Sequence, residues 1–494
     1  MSNSYFDVVV AGTDLAGLVY AAQAARAGYR VLVLGQEGRP ASYAIGEARG
    51  LRDLPLLYGF ETSGLLKGVF RDLGLHQEMR NRPEREEPAF QAITGKAWYA
   101  QSADRPLLER ELAREFPGHG REILAFQARL AEDNRDAETL LDALPALPAQ
   151  GWLAGRRLRR ILAEQGQGRL EGTTLSFPDD VEYYAVASGL AAMMAPMRPQ
   201  PANPFAMSRL LHHACGGFWS FPGGMDGFRQ LLVGRLTSRG GTYRPQAAVS
   251  SILLKRRTAT DVRLARGQER VSFRALVCNG PPRSFFDLIP AELQHKKARA
   301  LFATLSPAYA RYVVNFVVDP VLLPDAFRRH LLLITSARRD LHGANLLWLV
   351  RQDPEPGGEG RRATVSAFCH VPLESLPGTE EELQPLHRDI LEAIRRIAPF
   401  LSGERVQVST PYLTRNRETG RMVLDPAEIR EVHTTPLEGT LGLSPVPLRT
   451  EYSNILILGD AACAALGLEG SLLAARQAMD WTRDAIRLKK VKGT

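Results

Sequence analysis

The segment FDVVVAGTDLAG at residues 6–17 decides the fold. Its first six residues form a continuous apolar, β-branched run, which is typical of a strand buried on both faces of a parallel sheet. The turn at 12–14 leads into the alanine-rich stretch Leu15–Ala27, which predicts a buried helix that ends at Gly28. Residues 30–34 (RVLVL) then form a second strand. This spacing predicts a β-α-β unit with a right-handed crossover, and therefore a Rossmann-like α/β fold.

Length and composition narrow the class of protein. The 494 residues are enough for two or three domains. The most apolar internal stretch, residues 185–197, is too short for a transmembrane helix, which needs about 18 apolar residues or more. The N-terminus lacks the pattern of a secretion signal. Four cysteines, at positions 215, 278, 369 and 463, show no metal-binding or redox spacing, which favours reduced thiols and a cytoplasmic protein.

The net charge of +8 is concentrated in a few basic clusters. These lie at residues 156–160, at 255–257 and in the tail Arg487–Lys492. No nucleic-acid-binding motif or interleaved aromatic residues accompany them, so nucleic acid is not an expected partner. Solvated surface charge is the simplest interpretation of the clusters. The tail additionally predicts a weak contact with an anionic membrane surface.

The remaining chain divides into two predicted domains. A glycine-rich loop at Gly216–Gly227 precedes a helix and several strands, and a buried strand at Asn454–Leu458 precedes Gly459-Asp460. Residues 290–430 alternate strands with one long helix, which predicts an α+β insertion with an antiparallel sheet. We therefore assign residues 1–84, 216–289 and 431–494 to a nucleotide-binding domain, and residues 85–215 and 290–430 to a substrate-binding domain.

The first strand-helix turn resembles a dinucleotide site but departs from it. Such a site uses three glycines for the tight turn, for the approach of the pyrophosphate and for helix-strand packing. Gly12 and Gly17 match the first and third, whereas Asp14 replaces the second. The second strand ends at Gly35, where an acidic residue usually binds the ribose, and Glu37 follows two residues later.

Asp14 allows two interpretations. Beside a pyrophosphate its carboxylate would be repelled by roughly 1 kcal/mol in water and roughly 4 kcal/mol at an effective dielectric constant of 20. Aspartate is also a favoured N-cap, so its side chain could accept hydrogen bonds from the first N–H groups of the helix. In that second case the helix supplies its own anion in place of a phosphate.

Several segments together resemble the phytoene desaturase and carotenoid isomerase branch of the flavin amine oxidase superfamily. They are the N-terminal unit, the Gly216–Gly227 loop, the strand at Ala247–Leu254, and the C-terminal Gly459-Asp460. Residues 104–126 (DRPLLERELAREFPGHGREILAF) and 276–282 (LVCNGPP) extend the resemblance over most of the chain. The glycine pair that this family carries after its second strand is replaced by Ala41-Ser42.

The resemblance implies FAD as cofactor and names its contacts. Gly459 and Asp460 match the position that contacts the ribityl-phosphate side of the flavin. Gly470 and Ser471 are expected near its ring, and Val249 near the adenine. The implied activity is that of an FAD-dependent oxidoreductase, of the desaturase or isomerase type, acting on a hydrophobic isoprenoid-like or polyene-like substrate.

A flavin-free relative is the main alternative. Rab GDP-dissociation inhibitors show that this superfamily includes proteins that bind a protein partner and its prenyl group instead of catalysing a reaction. Asp14 and Gly35 favour such a binding protein here, with a lipidated or protein partner. An amine or amino-acid oxidase is a third possibility, and the visible absorbance of a bound flavin would separate the enzyme from the binding protein.

Flavin chemistry requires few side chains, so no catalytic residue is assigned from the sequence. His212-His213 and His370 are interpreted as structural, and no metal-binding pattern is present. A set of aromatic and methionine residues is interpreted as core, with an apolar substrate channel as the alternative: Tyr183, Tyr184, Met193, Met194, Met197, Phe205 and Met207.

Overall fold

The computed structural model describes residues 4–35, 39–135, 137–166, 175–197, 203–267, 269–304, 307–354, 362–401, 406–425, 428–433 and 441–486. The strands are β1 (Ser4–Ala11), β2 (Val31–Leu34), β3 (Ser42–Ile45), β4 (Ala48–Leu51), β5 (Leu57–Tyr58), β6 (Glu84–Arg85), β7 (Phe90–Ile93), β8 (Trp98–Gln101), β9 (Phe218–Ser220), β10 (Thr242–Arg244), β11 (Val249–Lys255), β12 (Thr258–Leu264), β13 (Arg270–Asn279), β14 (Pro307–Val318), β15 (His330–Ile334), β16 (Leu346–Gln352), β17 (Ala363–Pro372), β18 (Gln407–Ser409), β19 (Leu413–Arg415), β20 (Met422–Leu424), β21 (Arg430–His433) and β22 (Ile455–Leu458). The helices are α1 (Leu15–Arg26), α2 (Gly64–Asp72), α3 (His76–Asn81), α4 (Arg105–Glu115), α5 (Gly120–Asp133), α6 (Ala137–Ala143), α7 (Trp152–Ile161), α8 (Val181–Met194), α9 (Pro204–Gly216), α10 (Gly224–Thr237), α11 (Pro282–Asp287), α12 (Lys296–Thr304), α13 (Glu380–Arg395) and α14 (Gly467–Ala485).

The first sheet is the predicted Rossmann-like sheet. Strand β1 lies between β2 and β13 and runs parallel to both, and β10 extends the sheet beyond β2. Strand β22 pairs in parallel with β13, so the two ends of the chain meet in one sheet. Strands β11 and β12 extend β13 in antiparallel fashion. The predicted α/β fold, with Val8–Val10, Val31–Val33 and Ile455–Leu458 in one parallel sheet, is confirmed.

The second sheet comes from the middle of the chain. Its strand order is β18-β14-β17-β16-β15-β7-β8, with β21 pairing to β14 beside this path. The pairs are antiparallel except for β15 with β7, which are parallel. Strand β21 is a continuation of this sheet into residues 430–433, so the domain boundary expected between residues 430 and 431 falls inside it.

Two helices begin earlier than their sequence patterns indicate. Helix α10 starts at Gly224, inside the segment predicted to be a glycine-rich loop, and strand β9 occupies the start of that segment. Helix α14 begins at Gly467, five residues before Leu472, where the sequence pattern predicts the start of the last helix. Glycine lowers helix propensity, but tertiary packing overrides it, since α10 buries Phe228 completely and most residues of α14 are buried. The sequence of residues 41–84 predicts loops and helices, and the structure adds the short strands β3, β4, β5 and β6, the last of which ends at Arg85.

The turn between β1 and α1 packs tightly against the end of β13. Gly12 has a φ of 122°, and a Cβ at this position would lie 1.6 Å from the carbonyl oxygen of Asn279. A Cβ at Gly17 would lie 2.0 Å from Nδ2 of Asn279. The Asn279 amide in turn donates to the Asp14 carbonyl over 3.0 Å. Both glycines are therefore required by packing within the protein.

No helix in the described part of the chain combines the length and the apolar character that crossing a bilayer demands.

Gly12→Ala should lower the free energy of unfolding by about 2–4 kcal/mol, because the methyl group overlaps Asn279 and the backbone is left-handed there. Gly68→Ala in α2 is the matched control, since its Cβ would meet nothing within 4 Å. The control should gain up to about 1 kcal/mol from helix propensity. Urea unfolding without any ligand measures both, and a Gly12→Ala protein as stable as wild type would contradict the packing.

Candidate functional site

A groove runs along the carboxyl ends of β1, β2, β13 and β22, where open α/β sheets bind their ligands. It encloses a cavity of about 470 Å³ between the first sheet and strands β14 and β21 of the second. Five acidic and four basic side chains line it: Asp14, Asp53, Glu428, Glu431, Asp460, Arg39, Arg52, Arg311 and Arg430. The groove is therefore strongly polar and nearly balanced in charge.

Arg430 is at the centre of this groove and pairs with three carboxylates. Its Nη2 lies 3.4 Å from Oδ1 of Asp14, and its Nε lies 3.2 Å from Oδ1 of Asp53. Its Nη1 donates to Oδ2 of Asp460. Arg229 approaches Asp53 from the other side, with 2.6 Å between Nη2 and Oδ2. Three segments of the first domain thus converge on one arginine of β21.

Asp14 and Asp53, two of the three carboxylates paired with Arg430, have pKa values shifted in opposite directions. Burial raises the pKa of Asp14 to about 6, although Arg430 opposes this shift. Burial also acts to raise the pKa of Asp53, but its ion pairs with Arg430 and Arg229 outweigh that effect and lower the pKa to about 2. The difference arises because Asp53 has two arginine partners in close contact and Asp14 has one at the longer distance.

The capping interpretation of Asp14 is wrong. Asp14 occupies the N-cap position of α1 with extended backbone, but its side chain makes no capping hydrogen bond. The carboxylate turns toward Arg430 instead. A nearby arginine is a stronger partner for a carboxylate than a neutral backbone N–H, and this arginine could not be anticipated because it lies 416 residues away in sequence.

Five buried polar atoms along the groove have no hydrogen-bond partner within the described protein: Arg52 Nε, Asn279 Oδ1, Arg311 Nε, Glu431 Oε2 and His433 Nδ1. Buried polar groups are normally satisfied, so a concentration of unsatisfied ones indicates a place for water or a polar ligand. The set contains both donors and acceptors. A molecule rich in hydroxyl, amide and phosphate groups would match it.

The predicted cofactor residues are only partly brought together. Gly12, Asp14, Val249 and Asp460 line the groove. A Cβ at Gly459 would lie 3.5 Å from Oδ2 of Asp14, so this glycine is adjacent to it.

Three further predicted residues lie elsewhere. Gly17 faces Asn279, and a Cβ at Gly470 would lie 2.0 Å from the Cys463 carbonyl oxygen. Ser471 is buried within α14. Glu37 lies outside the described residues. Ala41-Ser42, which replace the family's glycine pair, are held by Asp226, whose carboxylate accepts from the Ala41 N–H at 2.8 Å.

The start of α14, expected by resemblance to face the flavin ring, contacts protein groups. The Leu468 N–H donates to the Tyr58 hydroxyl over 2.7 Å, and that hydroxyl donates to the Met194 carbonyl over 3.2 Å. Ser63 donates to Glu469 over 2.6 Å, and Arg209 pairs with the same carboxylate. The first turn of this helix is thus tied to β5 and to the helices α8 and α9.

His213 belongs to the same buried network. It is fully buried, with Nε2 at 3.3 Å from Glu469 and Nδ1 at 2.6 Å from the Thr62 hydroxyl. Burial acts to raise the pKa of Glu469, but His213 and Arg209 outweigh it and hold that pKa well below its usual range.

The set of aromatic and methionine residues is buried in the core, apart from Tyr184, which is 52% exposed. Within the described chain, no group of three histidine, cysteine or acidic residues could hold a metal ion.

Sequence reasoning missed Asp53, Arg229, Arg311 and Arg430. Each lies in a segment without a recognisable motif, and the four come from widely separated parts of the chain. Asp14 is the one residue whose sequence position could have pointed to these arginines. An acidic residue in a turn of the dinucleotide-binding type implies a compensating cation nearby.

A dinucleotide fits this groove if Arg430 changes partners. Arginine binds phosphate in the same bidentate manner as carboxylate, so Arg430 could exchange Asp14 or Asp460 for a diphosphate. The unsatisfied Asn279 oxygen could accept from a remaining polar group, and Arg39 and Arg52 could reach the ligand by giving up their ion pairs with Glu428. The negative charge of Asp14 opposes dinucleotide binding, because its carboxylate would lie beside the anionic diphosphate.

Asp14→Asn should stabilise the protein by about 1–3 kcal/mol above pH 6. In the folded protein the pKa of Asp14 is raised from its ordinary 3.8 to about 6. Ionisation of Asp14 therefore destabilises the fold fully above about pH 6, and it has no effect below about pH 4, where the carboxyl group is protonated in both states. The gain should vanish as the pH falls through that window. Asp53→Asn is the contrasting control: its lowered pKa stabilises the fold above pH 4, and that stability is lost as the pH falls toward 2. Unfolding free energies measured from pH 3 to 8 test both, and a pH-independent Asp14→Asn effect would contradict the buried carboxylate.

No protein-family model matches the sequence, and no curated protein matches it. An oxidoreductase from Methanosarcina mazei is similar in structure, with 16% identity, a TM-score of 0.59, and coverage of 96% of this chain and 100% of that chain.

Two amine oxidases are also similar in structure. Putrescine oxidase, in the wild-type form bound to putrescine, shares 15% identity at a TM-score of 0.58, covering 97% of this chain and 98% of that one. Cyclohexylamine oxidase from Brevibacterium oxydans shares 15% identity at a TM-score of 0.52, and the match covers 97% of this chain and 99% of that one. The chain therefore has the fold of these oxidoreductases, a Rossmann-like domain joined to a second domain built on a mainly antiparallel sheet.

Proposed function

We propose that the chain binds FAD in the groove at the carboxyl edge of the first sheet and is an FAD-dependent oxidoreductase. The observation that carries this proposal is the set of five unsatisfied polar atoms, which line the same cavity as Gly12, Val249 and Asp460. The similarity in fold to putrescine oxidase and cyclohexylamine oxidase supports the class. When bound, FAD would supply hydride acceptance, and the protein would supply position and electrostatics.

The residues of this chain have definable roles in that proposal. Arg430 would hold the diphosphate, and Asp53 together with Arg229 would keep the Arg430 side chain in the groove. Gly12 allows the tight turn after β1, and Val249 lines the groove as an apolar contact for a base. Asp460 would exchange its ion pair with Arg430 for hydroxyl groups of the ligand, because its side chain is partly exposed and can reorient.

Within this class we infer a hydrophobic isoprenoid-like or polyene-like substrate that is desaturated or isomerised. Support comes from the sequence resemblance of residues 104–126 and 276–282 to the phytoene desaturase branch. Such a reaction needs no acid-base pair, in keeping with the assignment of His213 to a buried structural network. The competing substrate class is a primary amine, because the similar structures include two amine oxidases.

Anaerobic mixing of the FAD-loaded protein with each substrate class distinguishes these reactions. A desaturase should lose the visible flavin absorbance with a long polyene in detergent, whereas an amine oxidase should lose it with putrescine or cyclohexylamine. An isomerase should convert the polyene without net loss of absorbance. Bleaching by the amines alone would contradict the isoprenoid substrate and leave the flavin proposal standing.

A flavin-free binding protein is the second candidate function. It is favoured by the Arg430 ion pairs, which satisfy the arginine without a phosphate, and by the Tyr58 hydroxyl on the first turn of α14. In that case the groove would bind a small polar ligand or a protein partner, and no flavin ring would bind at the first turn of α14. Equilibrium dialysis with FAD, ADP and riboflavin separates the candidates, since binding of ADP without FAD would exclude the enzyme.

FAD should bind more tightly as the pH falls from 8 to 5, because protonation of Asp14 removes a like charge beside the diphosphate. Asp14→Asn should tighten binding at pH 8 by about tenfold or more and make it nearly independent of pH. Asp133→Asn, a distant exposed carboxylate on α5, controls for net charge. Flavin-fluorescence titrations give the affinities, and an unchanged affinity in Asp14→Asn would remove Asp14 from the site. A wild-type protein that retains no FAD at any pH would overturn the proposed function.

A further inference from the structure

Helix α7 (Trp152–Ile161) presents two large apolar side chains to solvent. Trp152 is 67% exposed and Leu153 is 74% exposed. Single exposed apolar residues are ordinary, but an adjacent tryptophan and leucine in one helical turn form a small projecting patch.

The orientation of α7 is set by its opposite face. Ile161 is 5% exposed and packs, together with the partly buried Leu158, into the core that also contains α6 and α14. Trp152 and Leu153 therefore cannot be turned inward without removing Ile161 from the core. Their exposure is a property of how the helix is anchored.

The exposed face of α7 is also strongly basic. At 100° per residue, Trp152, Leu153 and four arginines fall within an arc of about 160°, with Leu158 and Ile161 outside it. The arginines are Arg156, Arg157, Arg159 and Arg160, all of them exposed. The apolar pair occupies the first turn, and the basic side chains follow along the next two turns.

Within the described part of the chain, few acidic side chains pair with these arginines. Among the described residues the one ion pair of the four arginines is Arg160 with Glu164, at 3.7 Å and with both side chains largely exposed. Arg156 lies over the Trp152 ring at 5.4 Å from its centroid. Gln150, just before the helix, contacts the carbonyl of the exposed Arg449 at 3.4 Å and brings a fifth arginine to this end of α7.

We propose that α7 docks the protein on an anionic lipid surface, with Trp152 and Leu153 entering the interfacial layer and the arginines binding headgroup phosphates. A tryptophan beside a leucine, followed by arginines, is the combination that interfacial helices use, because the ring and the apolar chain favour the acyl boundary and the guanidinium groups favour phosphate. Nucleic acid would account for the arginines and leave the Trp152-Leu153 projection without a role. This inference does not rest on FAD binding.

The basic tail Arg487–Lys492, predicted from the sequence to contact a membrane, lies outside the described residues. Its last described neighbour, Ile486, accepts a hydrogen bond from the Tyr29 hydroxyl over 3.0 Å. Since α7 and α14 belong to the same hydrophobic core, the test must separate the helix from the tail.

Co-sedimentation of the full chain with phosphatidylcholine vesicles, with and without phosphatidylserine, tests the proposal. Wild type should bind the anionic vesicles and lose binding at high salt. Trp152→Ser with Leu153→Ser should weaken binding about tenfold or more, and replacing the four arginines of α7 by glutamine should do so as well. Val321→Ser with Phe400→Ser, which removes apolar side chains that are 80% and 71% exposed elsewhere, should bind like wild type.

Three results of the vesicle experiment would overturn the proposal. One is that wild type does not bind at all, and another is that Trp152→Ser with Leu153→Ser binds as well as wild type. The third is that binding is lost only when residues 487–494 are deleted. Competition by inorganic phosphate at low concentration would indicate a free-phosphate site and also overturn it. Thermal melting of each variant checks folding, and quenching of wild-type fluorescence by brominated lipid, absent in Trp152→Phe, reports insertion of this one ring.

Discussion

The ion pairs of Arg430 join the two domains at the point where a ligand would enter. Asp14 follows β1, Asp53 follows β4 and Asp460 follows β22, whereas Arg430 begins β21 of the second sheet. One guanidinium thereby fixes the spacing between the carboxyl edge of the Rossmann-like sheet and strand β14. Because an arginine remains charged at all relevant pH values, this link persists wherever the carboxylates are ionised.

The glycines of the first turn have a packing role within the protein itself. Gly12 and Gly17 are needed for contact with Asn279, whatever the groove contains. The turn can therefore keep these glycines while the residues that face the groove change. Asp14 is such a change, since its side chain points into the groove and its backbone still begins α1.

The interior under α14 is organised by a second polar network. Glu469 accepts from Ser63 and pairs with Arg209 and His213, all of them buried. Buried charges require partners with good geometry, so this network constrains how β5, α9 and α14 meet. The aromatic and methionine residues that the sequence offered as a possible substrate channel are buried in the core, apart from Tyr184.

The sequence by itself determined the class of fold and the turn after β1. Continuous β-branched runs in β1, β2 and β22 need burial on both faces, and the β-α-β spacing leaves few ways to arrange them. It also predicted Gly12, Asp14, Val249 and Asp460 as neighbours at one site, and the structure places all four along the groove. Helix starts at glycines were less predictable, since packing overrode propensity at Gly224 and Gly467. Only the tertiary structure decided the partner of Asp14, the burial of His213 and the anchoring of α7, because each depends on residues hundreds of positions apart or on which face of a helix meets the core, and neither is encoded in local periodicity.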